Sequence, residues 1–183
     1  MIIKPPVKTE NYGVEVIGKL TEEQCDQIIE MHSSLEPIVS RINNGDETVV
    51  DDTRTCTTYL PRNAMINDML LNIGAIANNK YTYDVTGLIE EPQLLKYETG
   101  TKYGWHIDTG INDSSTRKIS ISIILNGDYE GGELCFFSDQ EYSYKFERGD
   151  IVTFPSFISH TVKPVTSGIR WSIVGWIAGH PFR

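Results

Sequence analysis

The second half of the chain is a succession of short segments with the composition of β-strands. Runs rich in Val, Ile, Phe, Tyr and Trp alternate with turns rich in Gly, Asn and Asp. The predicted strands are residues 93–98, 118–125, 134–137, 142–146, 151–154, 160–162 and 169–177. Several short strands separated by such turns are typical of an antiparallel sandwich or barrel. This pattern is the strongest constraint on the fold.

Two amphipathic helices are predicted before this β-rich region. The first covers residues 21–35 and begins at Thr21 with a capping-box sequence. The second follows Pro61 and places its apolar residues on one face. Short strands at 14–18 and 54–60 accompany the helices, and we expect all these elements to pack against the outside of the sheet.

The composition describes an ordinary globular protein, with 39% hydrophobic and 22% charged residues in 183. We expect one domain over residues 1–183, made of a helical support region, 1–87, and a β core, 88–178. A polar loop with turn residues is expected at 43–47. The net charge of −9 disfavours nucleic acid as a partner, because phosphate binding requires Lys and Arg.

The ends and cysteines of the sequence indicate a cytoplasmic protein that does not enter a membrane. The three Cys residues are odd in number and widely spaced, so they are expected to be reduced and buried. Residues 1–10 contain two prolines and no apolar run, which does not fit a signal peptide. No segment reaches the apolar length of a membrane span.

His106 and Asp108 are two residues apart in the segment Tyr97 to Asp108. On an extended backbone, side chains at this spacing point to the same side and could share a metal ion. A third ligand must come from elsewhere, and His160, on a remote predicted strand, is the candidate. Two His and one carboxylate form the facial triad of non-haem Fe(II) sites. By itself His160 also fits a surface histidine at a strand end.

Arg170 lies within an otherwise apolar, alternating strand near the end of the chain. A buried Arg is costly unless it meets an anion, and its planar fork suits a carboxylate. A structural salt bridge or a ligand carboxylate would both satisfy it. Ser172 lies on the same strand face and could donate its hydroxyl to the same carboxylate. Trp171 and Trp176 are expected in the core.

These residues follow one another in an order that resembles a known family. The ordered motifs are Tyr97-x-x-Gly100, His106-x-Asp108, Tyr129-Glu130-Gly131-Gly132-Glu133-Leu134, and His160-x-Val162-x-Pro164-Val165-Thr166-x-Gly168-x-Arg170. The order is similar to that of the Fe(II)- and 2-oxoglutarate-dependent dioxygenases, and most similar to the prolyl 4-hydroxylase-like branch that includes the PKHD-type hydroxylases. The resemblance covers about residues 88–178.

The resemblance implies a mainly β protein, with a double-stranded β-helix (a cupin-like jelly roll) packed against N-terminal helices. It implies iron held by His106, Asp108 and His160. It further implies that Arg170 binds the distal carboxylate of the cosubstrate 2-oxoglutarate, with Tyr97 and Ser172 as additional partners. Ascorbate is an optional reductant in this family. Gly131 and Gly132 are expected to form a tight turn into a strand.

The activity implied is hydroxylation of a C–H bond with dioxygen, coupled to decarboxylation of 2-oxoglutarate to succinate and CO2. Within the family a prolyl residue in a protein or peptide is the favoured substrate, and a free amino acid or other small molecule is the alternative. A cupin-like metalloprotein of another class and a non-catalytic binding module are the competing hypotheses. Whether Tyr103 or Trp105 contacts substrate, and the oligomeric state, are left open.

Overall fold

The computed structural model describes residues 13–38, 42–44, 47–49, 52–137 and 141–181, with the backbone alone for 42–44 and 47–49. The segment 1–10 and the centre of the predicted loop, 45–46, lie outside the described residues. The helices are α1 (Glu22–His32), α2 (Ala64–Tyr81) and a short 3-10 helix (Asn112–Thr116).

Fifteen strands are described. They are β1 (Glu15–Lys19), β2 (Ile42–Asn44), β3 (Glu47–Val49), β4 (Thr57–Tyr59), β5 (Gly87–Leu88), β6 (Gln93–Glu98), β7 (Tyr103–His106), β8 (Arg117–Ile124), β9 (Glu130–Gly131), β10 (Leu134–Phe137), β11 (Glu141–Ser143), β12 (Asp150–Pro155), β13 (Ser159–Val162), β14 (Val165–Ser167) and β15 (Ile169–Ala178).

The strands form a major and a minor antiparallel sheet that pack face to face. The major sheet has the order β1-β12-β8-β15-β6-β4, with β5 also paired to β15, and the minor sheet has the order β11-β10-β13-β7. Two small pairs, β14-β9 and β2-β3, lie apart from them. A shared apolar cluster joins the sheets, with Tyr97 and Phe154 from the major sheet and Phe136 and Val162 from the minor one. This arrangement is the predicted jelly roll.

Helix α2 covers the other face of the major sheet. It begins where the Asn63 side chain accepts a hydrogen bond from the Met65 amide at 2.9 Å, and it ends at Thr82, which is left-handed with φ 56°. Its buried residues recur every three or four positions and enter one core with β8 and β15. Helix and sheet approach so closely that a Cβ at Gly74 would overlap the Ile177 side chain.

Helix α1 starts with the predicted capping box. The Thr21 hydroxyl accepts from the Gln24 amide at 3.2 Å, and the Gln24 side chain accepts from the Thr21 amide at 2.9 Å. The helix ends at His32 and not at 35, because Ser33 is the C-cap residue, whose amide donates to the Ile29 carbonyl. Its buried Cys25 and Ile28 join the core under α2.

Three other expectations differ in detail from the structure. The N-terminal region does not only pack outside the sheet, since β1 pairs with β12 and β4 pairs with β6. The polar loop at 43–47 contains strand residues at both ends, because β2 and β3 form a hairpin. The strand expected at 142–146 is β11, which ends at Ser143.

The cysteines agree with the sequence. Cys25, Cys56 and Cys135 are buried, and none of them forms a disulfide within the described residues. Among the residues that the structure describes, no helix is both long enough and apolar enough to cross a lipid bilayer.

Candidate functional site

His106, Asp108 and His160 meet between the two sheets. Their potential ligand atoms all lie within 4.8 Å of one another. The His106 Nε2 atom is 3.5 Å from Asp108 Oδ1, and the His160 Nε2 atom is 3.6 Å from Asp108 Oδ2. The two histidines are register partners on β7 and β13. Pairing of these strands therefore brings together residues that are remote in the sequence.

Asp108 reaches this cluster by a different route from the one expected. Strand β7 ends at His106, so the two side chains do not share a strand. The amides of Asp108 and Thr109 instead donate to the Ser156 carbonyl at 2.9 and 3.0 Å. The turn that follows β12 therefore fixes Asp108, and the two-residue spacing alone does not.

Main-chain carbonyls orient both imidazoles. The Nδ1 atom of His106 lies 2.8 Å from the Gly104 carbonyl, and that of His160 lies 2.9 Å from the Ile158 carbonyl. A carbonyl only accepts, so each Nδ1 carries the proton and donates it. Each Nε2 is then left with a free lone pair directed at the cluster, which is the arrangement found in metal-binding histidines.

The charges of the cluster suit a divalent cation. Burial lowers the pKa of His160 to about 4, so this imidazole is neutral near pH 7. Burial acts to raise the pKa of Asp108, but His160, His106 and the Ser120 hydroxyl together hold that pKa well below its ordinary value. One carboxylate and two imidazole nitrogens are a donor set for Fe(II) and leave positions open for ligands.

Arg170 is buried in the same cavity without an acidic partner. The side chain is 1% exposed, and its Nη1 donates to the Ser172 hydroxyl at 2.9 Å. Its Nε atom has no hydrogen-bond partner, and no Asp or Glu of the described residues forms an ion pair with it. A buried guanidinium of this kind is costly unless a ligand carboxylate completes it.

Tyr97 and Gly132 shape the surroundings of Arg170. The guanidinium carbon lies 5.2 Å from the centre of the Tyr97 ring, which is the neighbour of Arg170 across β6 and β15. Burial raises the pKa of Tyr97 well above its ordinary value, so the phenol keeps its proton. Gly132, with φ 66°, forms part of the predicted turn, and a Cβ there would lie 2.9 Å from the Arg170 Cδ. The glycine leaves the space that the Arg170 side chain fills.

The cluster and Arg170 line a single cavity of about 840 Å³. This volume is within the range of ligand clefts, roughly 300 to 1,000 Å³. Its mouth carries three apolar side chains that are about half exposed, Trp105, Ile107 and Ile111. The cavity therefore has a polar, buried end, and its exposed lining combines these apolar side chains with Asp113.

The aromatic residues near the cluster have different positions. The Tyr103 ring stacks on the His106 imidazole with centroids 3.6 Å apart, and it lines the cavity. Trp105 is 44% exposed and meets Phe137 edge to face. Trp171 packs against the core as expected. Trp176 is buried as expected, but it also lines the cavity. The Arg117 guanidinium carbon lies 3.8 Å from the centre of the Trp176 ring.

Several site residues were not found from the sequence. Arg117 forms a two-pronged ion pair with Glu90, with Nε to Oε1 at 2.7 Å and Nη2 to Oε2 at 2.5 Å, and its Nη1 donates to the Asp108 carbonyl at 3.2 Å. Ser120 donates to the Asp108 carboxylate at 2.6 Å. The available signal was the alternation of β8, which places small polar residues on one face of a buried strand.

A comparison with protein families identifies this architecture. Residues 92–178 match the sequence model of the 2OG-Fe(II) oxygenase superfamily. That segment belongs to this superfamily. It contains every residue proposed from the sequence as a metal or cosubstrate ligand.

Curated relatives agree with the family over part of their length. The chain is 40% identical over 87 residues to a PKHD-type hydroxylase of Gloeothece citriformis, covering 45% of this chain and 40% of the relative. It is 31% identical over 120 residues to a PKHD-type hydroxylase of Prochlorococcus marinus, covering 64% of this chain and 50% of the relative. The matches thus span half or less of these relatives' lengths.

Two solved structures share the fold over nearly the whole chain. A prolyl-4-hydroxylase of Pseudomonas putida has a TM-score of 0.67 at 20% identity and covers 94% of both chains. A viral collagen prolyl hydroxylase from Paramecium bursaria Chlorella virus-1, in a 2OG complex, has a TM-score of 0.68 at 19% identity, covering 91% of this chain and 96% of that one. The jelly-roll prediction is confirmed.

The superfamily implies Fe(II) and 2-oxoglutarate, and the residues of this chain fit both. Three convergent ligand atoms with oriented imidazoles suit the metal. The buried guanidinium of Arg170, with its unpartnered Nε, suits the carboxylate of a dicarboxylic cosubstrate.

Proposed function

We propose that the protein is an Fe(II)- and 2-oxoglutarate-dependent dioxygenase that hydroxylates a C–H bond. One observation carries the proposal: Arg170 is buried without an acidic partner among the described residues, in the cavity that contains the His-Asp-His cluster. A cupin-like metalloprotein of another class needs the metal ligands but not a carboxylate-binding guanidinium beside them. The position of Arg170 therefore favours the dioxygenase over that alternative.

His106, Asp108 and His160 would hold the metal, and Arg170 with Ser172 would bind the distal carboxylate of 2-oxoglutarate. Tyr97 lies against the same guanidinium. Bound there, Fe(II) and 2-oxoglutarate would supply the oxidative chemistry, in which one dioxygen yields succinate, CO2 and one hydroxyl on the substrate carbon. Ascorbate would serve only to keep the iron reduced.

The chain's own residues position the reactants and exclude water. Arg170 and Ser172 orient the cosubstrate from β15, while the main chain at Gly104, Ile158 and Ser156 fixes the three ligands. The reaction does not require a side chain that transfers a proton. The protein's contribution is therefore the geometry of the site and its low exposure to solvent.

A prolyl residue in a protein or peptide is the proposed substrate. Three of the structural neighbours are named prolyl hydroxylases, and one of these, from Trichoplax adhaerens, is in complex with a peptide fragment. In this chain, the exposed apolar side chains of Trp105, Ile107 and Ile111 on the cavity lining could contact a peptide that extends beyond the buried end. Dioxygen and such a peptide are the partners that the proposal requires.

The decisive test is anaerobic addition of Fe(II) and 2-oxoglutarate to the purified protein. We expect a visible metal-to-ligand charge-transfer band in the wild type, no band in His106→Ala and a weakened band in Arg170→Ala. A wild-type protein without the band would overturn the proposal and favour a non-catalytic binding module.

Succinate release in air then tests the substrate. We expect release to rise with proline-containing peptides and not with free proline. Succinate release that rises with free proline and not with the peptides would indicate a free amino acid as the substrate. Repeating the assay with and without ascorbate shows whether the reductant sustains turnover.

A further inference from the structure

The two carboxylate oxygens of Asp108 have different surroundings. The Oδ2 atom accepts a hydrogen bond from the Ser120 hydroxyl at 2.6 Å. The Oδ1 atom faces the His106 Nε2 at 3.5 Å, and among the residues the structure describes no hydroxyl or amide donates to it. Ser120 is 2% exposed, so water does not compete for this contact. Each oxygen therefore faces one imidazole nitrogen, Oδ1 that of His106 and Oδ2 that of His160 at 3.6 Å, and only Oδ2 also accepts a hydroxyl hydrogen bond.

The Ser120 hydroxyl belongs to a short chain whose direction is determined. Its oxygen lies 3.0 Å from the Ser156 hydroxyl oxygen, and Ser156 is fully buried. The Ser120 hydroxyl donates its one proton to the Asp108 Oδ2 atom. Ser156 must then donate to Ser120. The chain runs from Ser156 through Ser120 to Asp108.

Ser156 also holds the backbone of Asp108. Its carbonyl accepts from the amides of Asp108 and Thr109, and its own amide donates to the Lys118 carbonyl at 3.0 Å. The end of β12 is thereby tied both to β8 and to the metal-ligand turn. Because Asp108 lies beyond the end of β7, these contacts replace the strand pairing that orients His106 and His160.

We propose that Ser120 is a positioning residue that keeps Asp108 a one-oxygen ligand. With Oδ2 occupied by the hydroxyl, Oδ1 is the oxygen presented to the metal. A carboxylate that is free to turn can instead bind a metal through both oxygens. That mode would use a position that 2-oxoglutarate or dioxygen needs. This inference rests on the proposed function, since it requires a metal at the cluster.

Metal affinity without cosubstrate tests the positioning role. We expect Ser120→Ala to raise the Kd for Mn(II), measured by the electron paramagnetic resonance signal of free Mn(II), about tenfold or more, because the carboxylate loses the hydroxyl that orients it before the metal binds. Ser120→Thr keeps the hydroxyl and should restore most of the affinity. Unchanged affinity in Ser120→Ala would overturn the inference, whereas a wild type that binds no Mn(II) would overturn the proposed function itself.

A matched control separates positioning from general stability. Thr153→Ala removes another buried hydroxyl from β12, one that lies 3.3 Å from the Tyr81 hydroxyl on the helix-covered side. It should lower the thermal midpoint and leave the Mn(II) Kd unchanged. Equal losses of Mn(II) affinity in Thr153→Ala and Ser120→Ala would show a merely structural effect and contradict the inference.

The second hydroxyl gives a finer test of the chain. We expect Ser156→Ala to weaken Mn(II) binding less than Ser120→Ala does, because it acts through Ser120. In the Ser120→Ala background it should add little, since the chain is already broken. Independent, additive losses would contradict the relay from Ser156.

Discussion

The two faces of strands β8 and β15 have opposite characters, although successive residues of each strand alternate between them. One face is apolar and lies under α2, with Ile119, Ile123, Ile173 and Ile177 in a single core. The other carries Ser120 and Ser122 from β8 and Arg170, Ser172 and Trp176 from β15, and it faces the cavity or the Asp108 carboxylate. All nine of these side chains are buried.

The two faces differ in how tightly they are packed and in the hydrogen bonding of their buried polar groups. The helix-covered face has little spare space, since a Cβ at Gly175 would approach the Leu70 Cδ1 to 2.6 Å. On that side the Tyr81 hydroxyl has a hydrogen-bond partner, the Thr153 carbonyl at 2.9 Å. The cavity face leaves the Arg170 Nε without one. A buried polar face that is incomplete indicates where a ligand belongs.

The largest effect is expected from Arg170→Met, which removes the charge from the cavity face. Binding of 2-oxoglutarate should weaken roughly a thousandfold, because losing one partner of a buried charge pair costs about 2 to 5 kcal/mol. The unfolding free energy should change little or rise, since the ligand-free protein loses a buried charge that has no acidic partner among the described residues. The KM for 2-oxoglutarate and urea unfolding of the metal-free protein measure the two effects.

Ser172→Ala is the matched companion of Arg170→Met on the same strand face. It should raise the KM by a smaller factor, because it removes one hydroxyl and leaves the guanidinium in place. Strong destabilisation by Arg170→Met with an unchanged KM would show that the two faces have the same structural role.

On the other face, Leu70→Ala should cost stability and spare the site. Leu70 is fully buried under β15, so its truncation should lower the unfolding free energy by about 3 kcal/mol. The KM for 2-oxoglutarate should stay within about twofold, because Leu70 does not line the cavity. Thermal unfolding and steady-state kinetics of the folded fraction check this expectation.

Combining Leu70→Ala with Gly175→Ala sharpens the same prediction. Gly175→Ala alone should destabilise the protein by about 1 to 3 kcal/mol, because its new methyl group overlaps Leu70. In the Leu70→Ala background that methyl group enters the space left by the leucine, so the double variant should be more stable than the sum of the two losses implies. Additive losses would mean that the helix-covered face is less tightly packed than its contacts indicate.

The alternation that separates the faces was readable from the sequence, because it is a local property of each strand. The predicted strands 118–125 and 169–177 match β8 and β15 to within one residue at each end. The same alternation predicted that Arg170 and Ser172 lie on one strand face. In the structure the Arg170 Nη1 atom is 2.9 Å from the Ser172 hydroxyl oxygen. The motif order identified the family because it too is read along the chain.

Contacts between remote segments could not be read in this way. The pairing of Glu90 with Arg117 depends on how the segment after β5 meets the start of β8. The chain from Ser156 to Ser120 depends on how β8 and β12 align, and no local pattern specifies either arrangement. The position of Asp108 depends on the same alignment. Its spacing from His106 correctly predicted that the two side chains lie together, but it did not predict the contacts that hold Asp108 there. The sequence predicts which residues are polar and buried, and the fold decides which of them touch.

The smallest effect concerns the polar contact on the helix-covered face. Tyr81→Phe should lower the unfolding free energy by about 1 kcal/mol at pH 7, because the Thr153 and Gly13 carbonyls both lose their contact with the phenol. Burial raises the pKa of Tyr81 to about 12 from an ordinary value of 10.0. The unfolded chain therefore releases this proton first, and wild-type stability should fall between about pH 10 and pH 12.

The Phe variant lacks that titration, so the difference in unfolding free energy between the two proteins should shrink as the pH rises through this window. Urea unfolding of both proteins from about pH 8 to about pH 11 measures the difference, and other alkaline groups cancel because both proteins share them. A difference that stays constant with pH would mean that the Tyr81 phenol ionises as easily in the folded protein as in the unfolded chain. The helix-covered face would then be open to solvent at the end of α2, and its contrast with the cavity face would be weaker than the packing implies.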